Sequence, residues 1–279
     1  MQHIIVIAAA ILLGIGPLQA QSPISTSGKA IAGATNPLAG KKLRYKIGAD
    51  NPGRGKPGEI VEVGYDWNAP LPAGISIAYG NLFNEKYSEQ SEGERVQYGP
   101  YLATSDTAEQ YGEGQIDPRG PGWRRNLIEQ FERRRQQGFK YIELDNADAY
   151  SVADVLGAVE LAEQYGLKVI AKNPALMQDD PLPYVAHRNV YGVVVEKGAG
   201  NVHQMHALRR RAGKPHLPVW FVFFEKNDGR GDGKKAASET IMHAQPYANM
   251  NVTYSADGEY TSAVDDPGWS GPVNATAPG

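Results

Sequence analysis

The sequence Tyr141-Ile-Glu-Leu-Asp-Asn-Ala-Asp148 places several carboxylates at the end of one short apolar run. Gly138 precedes the run and Ser151 follows it, which predicts a β-strand between two helices. Side chains alternate between the two faces of a strand, so Glu143 and Asp145 share one face. Neighbouring carboxylates are costly to bury unless they have partners or a function. We therefore predict that this strand end forms one wall of an active site.

Three later apolar runs also end in residues that can take part in catalysis. One run ends in Lys172 and Asn173, the next ends in Glu196, and the last ends in Glu225. In a barrel of parallel strands, the carboxyl ends of the strands meet on one rim, where the active site lies. Carboxylic acids on such a rim suit acid–base and nucleophilic chemistry on a glycosidic bond.

The apolar pattern predicts the elements that position these residues. Strands are predicted at 43–48, 60–66, 74–80, 95–103, 140–145, 168–172, 190–196, 218–225 and 250–254. Helices are predicted at 123–137, 152–165, 201–212 and 234–245. Strand and helix alternate in the second half, which indicates parallel strands with right-handed crossovers. The fold class predicted is α/β, a single-domain (β/α)8 TIM-like barrel whose first half is poor in helices.

Composition predicts the organisation around this barrel. Residues 1–20 resemble a signal peptide cleaved after Ala20, which predicts a secreted or periplasmic protein. Their apolar run is short for a membrane-spanning helix, so stable membrane insertion is not expected. Residues 21–42 suit a flexible leader, 43–256 the catalytic barrel and 257–279 a C-terminal tail.

The charge and the lack of cysteine exclude several functions. The chain has no cysteine, so neither disulfides nor thiol chemistry can contribute. Its formal net charge of −3 provides no overall basic field for nucleic acid. The runs Arg133-Arg134-Arg135 and Arg209-Arg210-Arg211 are interpreted as solvated helix surfaces.

The motifs Asp117-Pro-Arg119, Glu143-Leu-Asp-Asn-Ala-Asp-Ala-Tyr150 and Lys172-Asn173 resemble those of the endo-α-1,4-polygalactosaminidase family of glycoside hydrolases. The resemblance runs from about Ile60 to Glu225. It implies a (β/α) barrel that cleaves an amino-sugar-containing polysaccharide or oligosaccharide with two carboxylates and without a cofactor or metal. In this chain the implied catalytic pair is Asp145 and Glu196.

The roles within the site are hypotheses. Glu196 is assigned as the general acid, because three valines precede it and an apolar environment favours the protonated form of a carboxyl group. Asp145 is then the nucleophile or base. The candidate substrate-binding residues are Glu143, Asn146, Asp148, Tyr150, Lys172, Asn173, Glu225 and Tyr79.

Other interpretations of the same residues remain open. Asp145 and Asp148 can instead cap the following helix. The barrel can be a non-catalytic carbohydrate-binding protein whose acids only accept hydrogen bonds. It can also be a metal-dependent polysaccharide deacetylase or phosphodiesterase that uses Asp145, Asp148 and a histidine.

Overall fold

The computed structural model describes residues 36–46, 59–64, 67–68, 71, 75–102, 112–196, 201–224 and 233–255. The predicted signal peptide, residues 21–35 of the predicted leader, Glu225 and the predicted tail lie outside these ranges. Asn36 already contacts the barrel, since its Nδ2 donates to the Tyr191 carbonyl at 2.8 Å. Leu38 is fully buried. Packing against the barrel therefore includes residues before 43.

Eight parallel strands form one sheet in sequential order. They are β1 Lys42–Lys46, β2 Glu59–Val63, β3 Ile75–Asn81, β4 Tyr141–Asp145, β5 Lys168–Lys172, β6 Val190–Glu196, β7 Val219–Phe224 and β8 Met250–Ser255. The last strand returns to the first: Thr253 Oγ1 donates to the Leu43 carbonyl at 2.9 Å, and Asn251 Nδ2 donates to the Lys41 carbonyl at 3.3 Å. The sheet thus forms a nearly closed barrel, which confirms the predicted fold class.

The helices lie between successive strands after β3. They are α1 Glu92–Tyr98, α2 Pro121–Gln136, α3 Val152–Gln164, α4 Leu182–Ala186, α5 Val202–Arg211 and α6 Gly233–Ala244. Ser151 caps α3 by accepting from the Asp154 amide at 3.2 Å, and Gly166 follows its end at a φ of 73°. None of the helices in the described ranges is long and apolar enough to cross a membrane.

The prediction of a strand at 95–103 is wrong. Ser91 and Glu94 form a capping box that begins α1, so the backbone from Glu92 to Tyr98 is helical. Tyr101 then makes an isolated antiparallel bridge to Ile116. The β-forming residues of this segment dominated the sequence pattern, while the local cap decided the structure.

Strand alternation divides the core into two parts. Ile142 and Leu144 point outward and pack with the helices, whereas Tyr141 and Glu143 point into the barrel. The lower interior is filled by large side chains, above all Trp220. A Cβ on Gly192 would lie 2.5 Å from the Trp220 ring, so the glycine leaves room for that ring. Apolar packing therefore fills the barrel below its carboxyl end.

The interpretation of both arginine runs as solvated surface is wrong for one residue in each. Arg134 is fully buried and donates to the carbonyls of Gly64 at 2.7 Å and Tyr79 at 3.3 Å. Arg209 is also buried and donates to the Ala248 carbonyl at 2.8 Å. These guanidinium groups donate to buried backbone oxygens that would otherwise lack a hydrogen-bond donor.

We expect Arg134→Met to lower the free energy of unfolding by about 3 kcal/mol, because it leaves buried carbonyls without donors. Arg135 is exposed on the same helix. Arg135→Met should therefore change stability by less than about 0.5 kcal/mol. Urea unfolding followed by circular dichroism measures both variants, and equal effects would contradict the assignment.

Candidate active site

The carboxyl end of the barrel is organised around one buried ammonium group. Lys172 is 1 % exposed, and its Nζ lies 2.8 Å from Glu143 Oε1, 3.4 Å from Glu196 Oε1 and 3.7 Å from Asp145 Oδ1. It also donates to Tyr45 Oη. Burial alone would lower the pKa of Lys172, but the surrounding carboxylates overcome this effect and raise it well above the ordinary value. Lys172 is therefore a permanent cation here.

Strand register brings these groups together. Tyr79 pairs with Glu143 and Asn81 pairs with Asp145 across β3 and β4. Lys172, at the end of β5, lies on the interior face like Glu143. Because parallel strands end at the same rim, acids distant in sequence converge there.

Two asparagines terminate the strands that carry the site. Asn146 and Asn173 follow β4 and β5 directly, and both adopt left-handed backbone conformations, with φ of 58° and 43°. Asparagine tolerates this region better than most residues. The Asn146 amide donates to Asp145 Oδ1 at 2.9 Å, and Asn173 Oδ1 accepts from the Glu196 amide at 2.8 Å. The two turns therefore also position the two acids.

Asp145 is held from both sides of its carboxylate. Tyr79 Oη donates to Oδ2 at 2.7 Å, while the Asn146 amide and Lys172 face Oδ1. Burial, followed by the charge of Asp145, raises the pKa of Tyr79 well above its ordinary value, so the phenol stays a donor. The Asp145 side chain is 21 % exposed and remains accessible at the barrel mouth.

Asp145 and Glu196 both lie beside Lys172 at the carboxyl end of the barrel. One oxygen of each contacts the same Lys172 Nζ, so these oxygens are at most about 7 Å apart, a spacing that a glycosidic bond can bridge. The Glu196 side chain is 14 % exposed. Its carboxyl group lies beside the ammonium of Lys172.

The other predicted residues divide into accessible and buried groups. Asn146, Asp148 and Asn173 are half-buried at the mouth, and burial raises the pKa of Asp148. Glu143 is fully buried, and its Oε1 accepts from Lys172 Nζ at 2.8 Å. Tyr150 is buried as well, and its Oη donates to the Leu82 and Ile116 carbonyls, so its ring supports the strand end. Glu225 lies outside the described residues.

Several polar residues of the site were missed in the sequence. Glu113 accepts from Asn81 Nδ2 at 2.9 Å and from Asn146 Nδ2 at 3.2 Å. Burial, followed by the charge of Asp145, raises the pKa of Glu113 to about 7. Glu62 and Tyr45 lie inside the barrel next to Glu143. Glu62 had a signal in the sequence, since it is a carboxylate between Val61 and Val63 on the same strand face as Ile60. Glu113, in contrast, lies in an irregular loop without any such pattern.

No protein-family model and no curated protein matches the sequence. Among solved structures, the chain is similar to Ega3 of Aspergillus fumigatus, crystallised with galactosamine, at 16 % identity and a TM-score of 0.55. That match covers 82 % of this chain and 96 % of Ega3. The glycoside hydrolase domain of PelA from Pseudomonas aeruginosa matches at 13 % identity and a TM-score of 0.50, covering 73 % of this chain and 89 % of the domain. The likeness confirms the fold that the motif resemblance implied.

We expect Lys172→Met to destabilise the protein by about 3 to 5 kcal/mol at pH 7.5, because it leaves the buried carboxylate of Glu143 without its counter-charge. The loss should shrink at pH 4.5, because burial raises the pKa of Glu143 and the protonated carboxyl group needs no counter-charge. Urea unfolding at both pH values tests this expectation.

Lys168 provides the matched control, since it lies at the other end of the same strand with its Nζ 4.4 Å from the Tyr191 ring centroid. Lys168→Met should cost less than about 1 kcal/mol and show no such pH dependence. A Lys172→Met protein whose deficit is the same at both pH values would contradict the electrostatic role.

Proposed function

We propose that this protein is an exported glycosidase that cleaves an amino-sugar-containing polysaccharide, with Asp145 and Glu196 as its catalytic carboxylates. The observation that carries the proposal is the convergence of both acids on Lys172 at an accessible barrel mouth. A pair of acids within bridging distance of one bond is the arrangement that glycoside hydrolysis requires. The similarity in fold to a glycoside hydrolase domain supports the same reaction class.

The hydrogen bonds around the two acids suggest their roles. Tyr79, the Asn146 amide and Lys172 all stabilise negative charge on Asp145, which suits the nucleophile or base. Glu196 is then the general acid that protonates the leaving oxygen. As the glycosidic bond breaks, Glu196 gives its proton to the leaving oxygen, and positive charge develops on the sugar ring between Asp145 and the carboxylate that Glu196 becomes.

Acidic groups at the mouth favour a cationic sugar. Glu113 and Asp148 are half-buried near Asp145, where an ammonium group of the substrate would find carboxylate partners. The structural similarity to a protein solved with galactosamine makes de-N-acetylated galactosamine polymers the first substrates to test.

The rival metal-dependent hydrolase fits the site less well. Among the described residues, no group of three or more histidines and carboxylates is arranged to hold a metal ion. The ammonium of Lys172 lies at the centre of the acids, where a metal would have to bind. A non-catalytic binding barrel has no need to bring two acids within bridging distance.

The proposal is tested by incubating the mature protein with de-N-acetylated galactosamine and glucosamine polymers, followed by mass spectrometry of the products. We expect oligosaccharides to be released in the presence of a chelator. Binding without release from any amino-sugar or neutral polymer would favour the carbohydrate-binding protein. Release that the chelator abolishes would favour the metal-dependent enzyme.

We expect Asp145→Asn and Glu196→Gln each to lower kcat by at least about 100-fold, because each removes a group that acts in bond cleavage. Polymer binding should persist in both variants. Asp154→Asn, at the start of α3, should stay within about twofold of the parent protein. Initial rates of reducing-end release and binding by calorimetry measure these effects.

Glu113→Gln tests the preference for a cationic sugar. We expect KM for the de-N-acetylated polymer to rise about tenfold, because one charge-assisted hydrogen bond becomes neutral. KM for the N-acetylated polymer and kcat should change little. Glu89→Gln, an exposed residue after β3, is the control. Equal changes in KM for both polymers would contradict a role of Glu113 in recognising the amino group.

A further inference from the structure

The barrel interior holds a second carboxyl group beneath the site, on β2. Glu62 is fully buried. Within the described part of the chain, neither of its side-chain oxygens has a hydrogen-bond partner. An ionised carboxylate without donors is among the costliest groups to bury. The geometry therefore requires either a partner or a proton on Glu62.

The neighbouring carboxyl group is Glu143: Tyr45, which pairs with Glu62 across β1 and β2, donates to Glu143 Oε1 at 3.2 Å. Besides burial, a side-chain hydrogen bond between the two carboxyl groups, which needs a proton on one of them, contributes to the raised pKa of Glu62. Glu143 uses only one oxygen for its donors: Oε1 accepts from Lys172 at 2.8 Å and from Tyr45 at 3.2 Å. Its other oxygen, Oε2, is buried and has no donor in the described residues. A single proton between the two carboxyl groups satisfies both unpaired sides and removes the repulsion of two buried negative charges.

The donors decide which residue holds the proton. Lys172 and Tyr45 both donate to Glu143, and these hydrogen bonds favour its carboxylate form. Glu62 has no comparable donors, so the proton belongs to it. We infer that Glu62 is a neutral carboxylic acid that donates a hydrogen bond to Glu143 Oε2, and that it is a positioning residue for Lys172.

This inference deepens the proposed function and, for catalysis, rests on it. Glu143 holds Lys172 from below, while Asp145 and Glu196 hold it from above. A neutral Glu62 fixes Glu143 without adding a further negative charge that would compete for the ammonium. If Glu62 were ionised, it would repel Glu143 and draw Lys172 away from the catalytic pair.

The pH dependence follows from the groups inside the barrel. The titratable groups that interact with the Glu62–Glu143 pair are Tyr45 on β1, Asp145 on β4, Lys172 on β5, Tyr184 on α4 and Glu196 on β6. The described interior residues of β7 and β8 carry no charge. Burial, followed by the charge of Glu143, raises the pKa of Glu62 well above its ordinary value.

The raised pKa of Glu62 makes the folded protein less stable as pH rises. Above the ordinary pKa of glutamate, the unfolded chain has lost a proton that folded Glu62 still holds. The unfolding equilibrium constant therefore rises by about tenfold per pH unit from this group, until pH passes the folded pKa. Glu62→Gln keeps the shape and the donor but holds no titrating proton, so this dependence disappears.

The first experiment compares thermal unfolding of the parent protein, Glu62→Gln and the exposed control Glu89→Gln between pH 5 and pH 8. We expect the difference in Tm between Glu62→Gln and the parent to rise by at least about 4 °C from pH 5 to pH 8 in favour of the variant. The difference between the control and the parent should stay constant. Parallel curves for Glu62→Gln and the parent would overturn the inference. Failure of Glu62→Gln to fold would also overturn it, since a neutral donor of the same shape must be tolerated.

The second experiment tests the positioning role by kinetics on the polymer that the protein cleaves. Glu62→Leu removes the donor, and we expect kcat to fall at least about tenfold with a smaller change in KM. Glu62→Gln should restore most of the lost kcat. Equal kcat values for the two variants would overturn the positioning role. The unfolding experiment needs no substrate, so failure of this inference and failure of the proposed function are distinguishable.

Discussion

One buried cation sets the arrangement of the whole carboxyl end of the barrel. Lys172 lies among Glu143, Asp145 and Glu196, and the fully buried Glu143 could not stay ionised without this counter-charge. The cluster remains rich in negative charge even with Lys172 present. A protonated Glu62 below and an opening to solvent above are the two ways in which the fold accommodates that excess. The same excess favours a positively charged substrate.

The β/α architecture explains why such a cluster can exist. Large side chains such as Trp220 close the barrel below, so the polar layer rests on a rigid apolar base. Left-handed asparagines end β4 and β5, and each uses its own hydrogen bonds to orient an acid. Rigid strands therefore supply the positions of the charges, while the turns that follow supply their orientation.

Regular local patterns predicted most elements, whereas features that depend on a helix cap or on burial differed from the prediction. Most strands and helices were predictable because their apolar spacing is local and regular. The strand prediction for 95–103 was wrong because a capping box at Ser91 begins a helix despite the β-forming residues of the segment. Arg134 was interpreted as solvated because charge is a poor guide where buried carbonyls need donors. No local pattern indicated that the Tyr150 hydroxyl group donates to backbone carbonyls in the core.

The sequence by itself determined the barrel, the strand ends and the candidate acids, because periodicity and motif spacing are properties of neighbouring residues. Only the tertiary structure decided which charges meet. Lys172 and Tyr45 are in contact although 127 positions separate them, and Glu113 reaches Asn146 from a loop without a regular pattern. Protonation was also decided in three dimensions, since the state of Glu62 depends on burial and on the donors around Glu143. These interactions act through space, and no local pattern encodes them.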